Sequence, residues 1–401
     1  MSSKLFRFFI IFLSATLIIG CKAEFPPEWR LFYTQAEGDE TRVEWLSTIA
    51  VDVYGDVLSA GHTVKTGSNR QVNILLVKHD ENGDFIWSTE YDIAQGAFRS
   101  DDKTTDMVLD DSGNAYLVGV QNIVENNQGR SGSFLTKIDQ FGDVLWTQHL
   151  SDEKDAQDIE ISDGKLYVTG HATQVFDLDG LRLLNIAHPN TRAWDIEVDD
   201  AGNMYVAGHA ATTKYDEEGA QQWSVTLPEQ VSQQASIAIN SDGSVVIAHN
   251  QSDRSTRIAA ISYDGTSLWN KTYSPAKQSY GVPGPALVKT DWRGDIILAR
   301  SNDKSRRIIK LNANGRELWK ISSTGIIQAF IVDNDRAIFA VGGGINEKYK
   351  ANGDFSVETT QVLSVQTSTG SIVKSGEDIY IGYSAANNGK SNFYLEKHIN
   401  Q

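Results

Sequence analysis

Three of the eight histidines, His62, His171 and His209, stand seven residues after a glycine that recurs along the chain (Gly55, Gly164, Gly202). Three aspartates, Asp106, Asp158 and Asp195, begin the segments DMVL, DIEIS and DIEV of successive copies. Imidazole and carboxylate oxygen together form the donor set of a divalent metal or of a small polar ligand, provided that the fold brings them within coordination distance. Asp158 with His171 and Asp195 with His209 come from adjacent copies, so a His/Asp cluster is conceivable. The plainer expectation is structural: each aspartate accepts backbone N–H groups from a neighbouring loop, and each histidine ends a strand half-buried. His249 sits one place earlier in its copy and is expected on the opposite face. Turns such as DENGD suit a hard cation, but counting from Asp80 the sixth and twelfth positions hold Phe85 and Tyr91, where a calcium loop needs Gly and Glu. No GxSxG, HExxH or glycine-rich phosphate loop occurs, so no catalytic residue is named and an enzyme is the less favoured reading.

Two tight turns recur and must position these residues. The first carries Gly55, Gly113, Gly164, Gly202, Gly243, Gly294 and Gly376, with Arg336 in a degraded copy; the second carries Gly83, Gly142, Gly180, Gly219, Gly265, Gly315 and Gly353. Four residues after the second glycine comes Trp87, Trp146, Trp223, Trp269 or Trp319, with Leu184 and Val357 in the two weaker copies. Each copy reads as four short strands of alternating or continuous apolar residues, at the spacing of a propeller blade. The last copy lacks its tryptophan strand, and EWRLFYTQ near the N-terminus is a tryptophan strand without a copy. The expectation is an all-β, eight-bladed β-propeller of four-stranded blades, or seven-bladed if the weak copies do not each form one, closed by the N-terminal strand.

In that fold both glycine turns lie on one rim, and the second-to-third and fourth-to-first connections lie on the other. The histidines approach the second rim, the aspartates lie near the central channel, and the irregular segments QNIVENNQGRSGS, DIAQGAFRSDDKTT and SPAKQSYGVPGPA gather beside them. Variable loops on one rim mark it as the binding face. A carbohydrate-binding surface would need exposed aromatics there, with Trp194, Tyr280 and Tyr383 as candidates.

The first twenty residues have a basic start (Lys4, Arg7) and an apolar run too short to span a bilayer, the grammar of a secretory signal. The ending LIIGC resembles the lipobox of bacterial lipoproteins, which implies acylation of Cys21, the sole cysteine. Lys22 is similar to an outer-membrane sorting signal. The expected layout is a signal peptide over 1–20, an acylated tether over 21–27 and a single propeller domain over 28–401. The net charge of −16, more negative still without Lys4 and Arg7, sets nucleic acid aside as a partner.

Phrases such as DDAGNMYVAGH and DDSGNAYLVG resemble the bacterial β-propeller repeat of the SBBP type, while KHDENGDFIW, KIDQFGDVLW and KLNANGRELW resemble the pyrroloquinoline-quinone-type propeller repeat. The second resemblance implies a quinone cofactor first. The absence of adjacent cysteines argues against pyrroloquinoline quinone here, and no cofactor is expected. The favoured function is a lipid-anchored outer-membrane scaffold on the periplasmic face, binding a periplasmic protein or an outer-membrane barrel or transporter. The alternative is a small-ligand- or metal-binding propeller that uses the loop-rich rim and channel.

Overall fold

Many of the tight turns begin with an aspartate whose Oδ1 accepts two backbone N–H groups, as Asp80 does from Asn82 (2.9 Å) and Asp84 (2.8 Å), and end at a glycine with positive φ; Asn240, Ser262 and Asn312 open others. The short carboxylate closes its own turn, and glycine takes the left-handed conformation without a Cβ clash. Arg336 adopts the same geometry at φ 63° in the degraded copy. These punctuations fix the ends of thirty-two strands among the described residues of the computed structural model. Those residues are 27–33, 42–65, 71–93, 99–125, 128–150, 155–188, 192–226, 231–274, 285–302, 305–323, 325–342, 345–353, 355–357, 367–387 and 390–399. The segment expected to be signal and tether, up to residue 26 with Cys21, lies outside them, as do Tyr280 and most of SPAKQSYGVPGPA.

The strands form six antiparallel four-stranded sheets and one eight-stranded sheet. The latter is two quartets joined by a single parallel pair, Val72 with Asp101, so the described strands fall into eight quartets, numbered here as blades in chain order. Their innermost strands are Arg42–Val51, Arg99–Leu109, Asp158–Ser162, Ala193–Val198, Val231–Ile239, Ala286–Thr290, Ala329–Val332 and Thr367–Ser375. Each packs against the next, and the eighth packs against the first, closing a ring. The N-terminal strand Trp29–Tyr33 pairs with Lys390–Ile399 as the outermost strand of blade 8, Leu31 opposite Leu395.

The core is distributed over the blade interfaces. Eight buried apolar clusters occur, one between each pair of neighbours, from Leu58, Ile74, Leu117 and Phe134 between blades 1 and 2 to Leu46, Leu75, Tyr380 and Phe393 between blades 8 and 1. Middle strands are covered on both faces and read as continuous apolar runs, such as Met204–Gly208; outermost strands alternate half-buried and exposed, as Glu317–Ser322 does. Two solutions anchor the inner turn. Where its glycine is followed by aspartate, a buried lysine joins the two carboxylates: Lys78 lies 2.9 Å from Asp52 and 3.0 Å from Asp56, and Lys310 lies 2.8 Å from Asp291 and 3.2 Å from Asp295. Where asparagine follows, a tyrosine three residues after the glycine donates to the turn aspartate (Tyr116 to Asp110 and Tyr205 to Asp199, both 3.0 Å), and the lysine stacks on its ring.

The tryptophans link one blade to the next. Trp87 Nε1 donates to Gln140 O (2.9 Å), Trp223 to Tyr263 O (2.9 Å), Trp269 to Ala313 O (2.7 Å) and Trp319 to Ala351 O (3.1 Å), each the outer turn of the following blade. Trp29 makes the same bond to Glu81 O of blade 1 (3.2 Å). A Cβ on Gly315 would lie 2.6 Å from the Trp269 ring, and φ there is +74°. Gly315→Ala is therefore expected to cost about 2 kcal/mol or more through the left-handed backbone and the displaced indole. An unchanged urea midpoint would show that the turn absorbs the methyl group without loss.

Candidate functional site

The innermost strands repeat one polar position around the channel: Thr48, Asp106, Asp158, Asp195, Ser236 and Ser371. Alternation along a strand turns this side chain toward the next blade, where it meets a backbone N–H. Asp158 Oδ2 accepts from Ile196 (2.9 Å), Asp195 Oδ2 from Ile237 (2.8 Å), Ser236 Oγ from Val288 (3.2 Å) and Ser371 Oγ from Ile49 (3.2 Å). Asp106 accepts from Ile159 in the same way. The three aspartates thus bind backbone groups of the next inner strand rather than of a loop.

They also bind one another. Thr48 donates to Asp106, and Asp106, Asp158 and Asp195 form a hydrogen-bonded series across blades 2, 3 and 4. Two carboxyl groups in contact cannot both be ionised, so the series retains protons. Burial, reinforced by the neighbouring aspartate, pushes Asp158 up to about 7 and Asp195 well above the usual carboxylate range; burial raises Asp106 as well. Two residues further along the strands stand Glu160 and Glu197, raised by burial to about 8 and about 7. Glu197 Oε1 lies 3.9 Å from Nζ of Lys289, which reaches it from blade 6; half of the lysine side chain is exposed, so solvent screens the pair. Blades 2, 3 and 4 thus carry five carboxyl groups that burial holds above the usual carboxylate range, and Lys289 of blade 6 interacts with four of them, Glu197, Asp195, Asp158 and Glu160. Glu160, Glu197 and Lys289 were missed from the sequence, although the i, i+2 acids of DIEIS and DIEV place Glu160 and Glu197 on the face of their aspartates.

The histidines do not join this set. His62 lies half-buried in the second strand of blade 1, opposite Trp45 and Ile74. His171 is exposed in the connection between the second and third strands of blade 3, its carbonyl accepting from His188 N (3.2 Å). His209 occupies the same connection in blade 4, its N–H donating to Arg192 O (2.7 Å). Among the described residues no group of three or more His, Cys, Asp or Glu has the arrangement to hold a metal ion.

Two expectations about the loop rim are corrected. QNIVENNQGRSGS is largely strand: Ala115–Glu125 and Gln128–Ile138 pair as far as Glu125 with Gln128, because backbone pairing continues beyond the packed residues. Within DIAQGAFRSDDKTT the inner strand of blade 2 already begins at Arg99. Tyr383 is not a surface aromatic. It is buried, donates to Glu396 (2.7 Å) and stacks on Tyr394 with ring centroids 5.3 Å apart. Trp194 is half-buried under the Arg192 guanidinium, 4.0 Å from its ring centre. Among the described residues the large exposed aromatics stand instead at tips on the glycine-turn rim: Tyr54, Phe141, Tyr263 and Trp292.

Residues 130–382 match the family model described as outer membrane protein assembly factor BamB. No curated protein sequence matches the chain. Among solved structures, the Dos1 propeller is similar over 92% of this chain and 94% of its own at 11% identity, with a TM-score of 0.61, a likeness of fold alone. The Neurospora crassa Pan2 WD40 domain (10% identity, 92% and 93% coverage) and a catalytically inactive Staphylococcus aureus virginiamycin B lyase (12% identity, 74% and 95%) each give a TM-score of 0.48.

Proposed function

Because the chain belongs to the pyrroloquinoline-quinone-type propeller family described as outer membrane protein assembly factor BamB, we propose that it is a protein-interaction scaffold. In this reading Cys21 carries the lipid, 1–20 is the removed signal, and the domain beginning at residue 28 sits at the periplasmic face of the outer membrane. Its partner is a periplasmic protein or an outer-membrane barrel or transporter. The observation that carries the proposal is the family match, which spans well over half of the chain. The closed ring supports it: eight interface cores hold a rigid disc that presents a broad surface without internal rearrangement. Crosslinking the full-length protein in its native membrane, followed by identification of the captured chains, tests it. A reproducible barrel or periplasmic partner is expected; capture that never exceeds that of an unrelated lipoprotein overturns it.

The second reading is a small cationic ligand in the channel, favoured by the convergence of Asp158, Asp195, Glu160 and Glu197 around Lys289, with Asp106 joined to Asp158. The candidate ligand histidines His62, His171 and His209 lie apart from this group, so the reading rests on the carboxylates. Binding of a small amine that disappears in Asp158→Asn supports it, and unchanged binding removes it.

A further inference from the structure

We propose that the glycine-turn rim faces the membrane and that the tips of blades 1 and 2, led by Tyr54 and Phe141, rest in the headgroup layer of zwitterionic lipid; the proposal rests on the lipoprotein reading of Cys21. The N-terminal strand fixes where the tether meets the disc. It is an outermost strand, and outermost strands run from the glycine-turn rim toward the loop-rich rim. Its first residues are pinned at the start: Glu28 N donates to Lys397 O (2.7 Å), Glu28 pairs with Lys397 Nζ (3.2 Å), and the Trp29 indole donates to Glu81 O in the outer turn of blade 1. The chain between Cys21 and Pro27 therefore joins the disc at the glycine-turn rim.

Length then excludes the opposite orientation. Six residues span at most about 20 Å when fully extended. A seven-residue outermost strand such as Phe85–Tyr91 is itself roughly 20 Å long. A tether starting at the glycine-turn rim is thus used up in reaching the other rim and leaves nothing to bring that rim onto a bilayer.

The surface beside the junction suits the lipid boundary. Val53, Tyr54 and Phe141 are 64%, 66% and 72% exposed. The turn of Val53 and Tyr54 adjoins the junction, where a Cβ on Gly55 would touch Glu81, and the turn of Phe141 lies one blade further on, where a Cβ on Gly113 would touch both Asp52 and Gln140. Aromatic rings with a polar neighbourhood settle at the headgroup level, where apolar area is withdrawn from water while backbone and polar edges stay wet. These and the neighbouring turns carry Asp80, Glu81, Asp111 and Asp139, which repel anionic lipid and restrict the fit to zwitterionic headgroups.

The test uses the acylated full-length chain in phosphatidylethanolamine–phosphatidylcholine vesicles. Because the lipid occupies the Cys21 thiol, an environment-sensitive dye can be placed singly at Tyr54→Cys, Phe141→Cys or, on the loop-rich rim, His171→Cys. Brominated lipid is expected to quench and blue-shift the dyes at 54 and 141 and to leave the dye at 171 unchanged. Quenching at 171, or at none of the three sites, on chains that mass spectrometry shows to be acylated overturns the orientation and leaves the lipoprotein reading standing. Absence of the acyl group on Cys21 overturns both.

Discussion

Replacing Glu396 by alanine is expected to lower stability by about 3–5 kcal/mol, because it strips a buried ionic cluster of the carboxylate at its centre. Glu396 is fully buried and receives Tyr383 Oη (2.7 Å), His398 Nε2 (3.0 Å), Asn346 Nδ2 (3.1 Å) and the Arg30 guanidinium. Burial alone would raise its pKa; the hydrogen bond from His398 and the charge of Arg30 outweigh burial and hold it below the usual range. The cluster joins the N-terminal strand, which supplies Arg30, to blade 8 and to Asn346 of blade 7, so it latches the ring. Glu396→Gln keeps acceptor and shape and is expected to lose less than the alanine variant. Urea midpoints of the two variants check this, with proteolysis ahead of residue 30 as the sign of a released strand. Equal midpoints for wild type and Glu396→Ala would show that the tryptophan and backbone bonds close the ring unaided. A carboxylate with a depressed folded pKa stabilises above its unfolded value and loses that contribution as pH falls through the folded one, so the latch fails on the acid side.

The channel titrates with the opposite sign. Asp158, Glu197 and Glu160 have folded values of about 7, 7 and 8, above their unfolded ones, so the folded protein retains protons that the unfolded chain has released. Their stabilising contribution is complete below about pH 4 and is lost as pH rises through 7 to 8. His79, His188 and His249, lowered by burial to about 4, act in the other direction, losing stability as pH falls below their unfolded value of about 6.5. Above that value the histidines are silent, so between about pH 6.5 and 8.5 stability is expected to fall, by at most about 1.4 kcal/mol per pH unit for each extra proton held. Asp158→Asn removes one such proton and is expected to flatten the decline. Urea unfolding at three pH values for wild type and variant measures it; a stability that is level or rising over this window in the wild type would mean that channel water ionises these groups freely.

The repeat made much of this readable in advance. Glycine spacing located the turns because few other residues accept their φ, and tryptophan spacing located the outermost strands because the indole must reach the next blade. Asp106, Asp158 and Asp195 were visible as one repeated position, and the structure joins them in one hydrogen-bonded series. What connects them to Glu160, Glu197 and Lys289 was not visible, since those contacts are made around and across the channel between residues up to 131 positions apart, Asp158 to Lys289. The hairpin extension of blade 2 was hidden for a different reason. Backbone pairing needs no side-chain pattern, so a polar stretch with Asn and Gly reads as loop although it forms strand. Tyr383 was misplaced because a lone tyrosine carries no mark of the acid it donates to. The histidines shared a register without sharing a site: second strands of different blades end apart on the rim, whereas first strands converge on the channel.

The pairing of Trp29–Tyr33 with Lys390–Ile399 also sets the order of events during synthesis and folding. The first segment of the ring to emerge must wait, unpaired, until the last has been made. Bringing these ends together across more than 350 residues costs roughly 5 kcal/mol in chain entropy, so the closing contact is expected late, once the seven preceding interfaces have shortened the effective loop. Until then blade 8 exposes an open strand edge, and the interval between release of the C-terminal strand and its capture of residue 29 is when this propeller is most open to pairing with another chain.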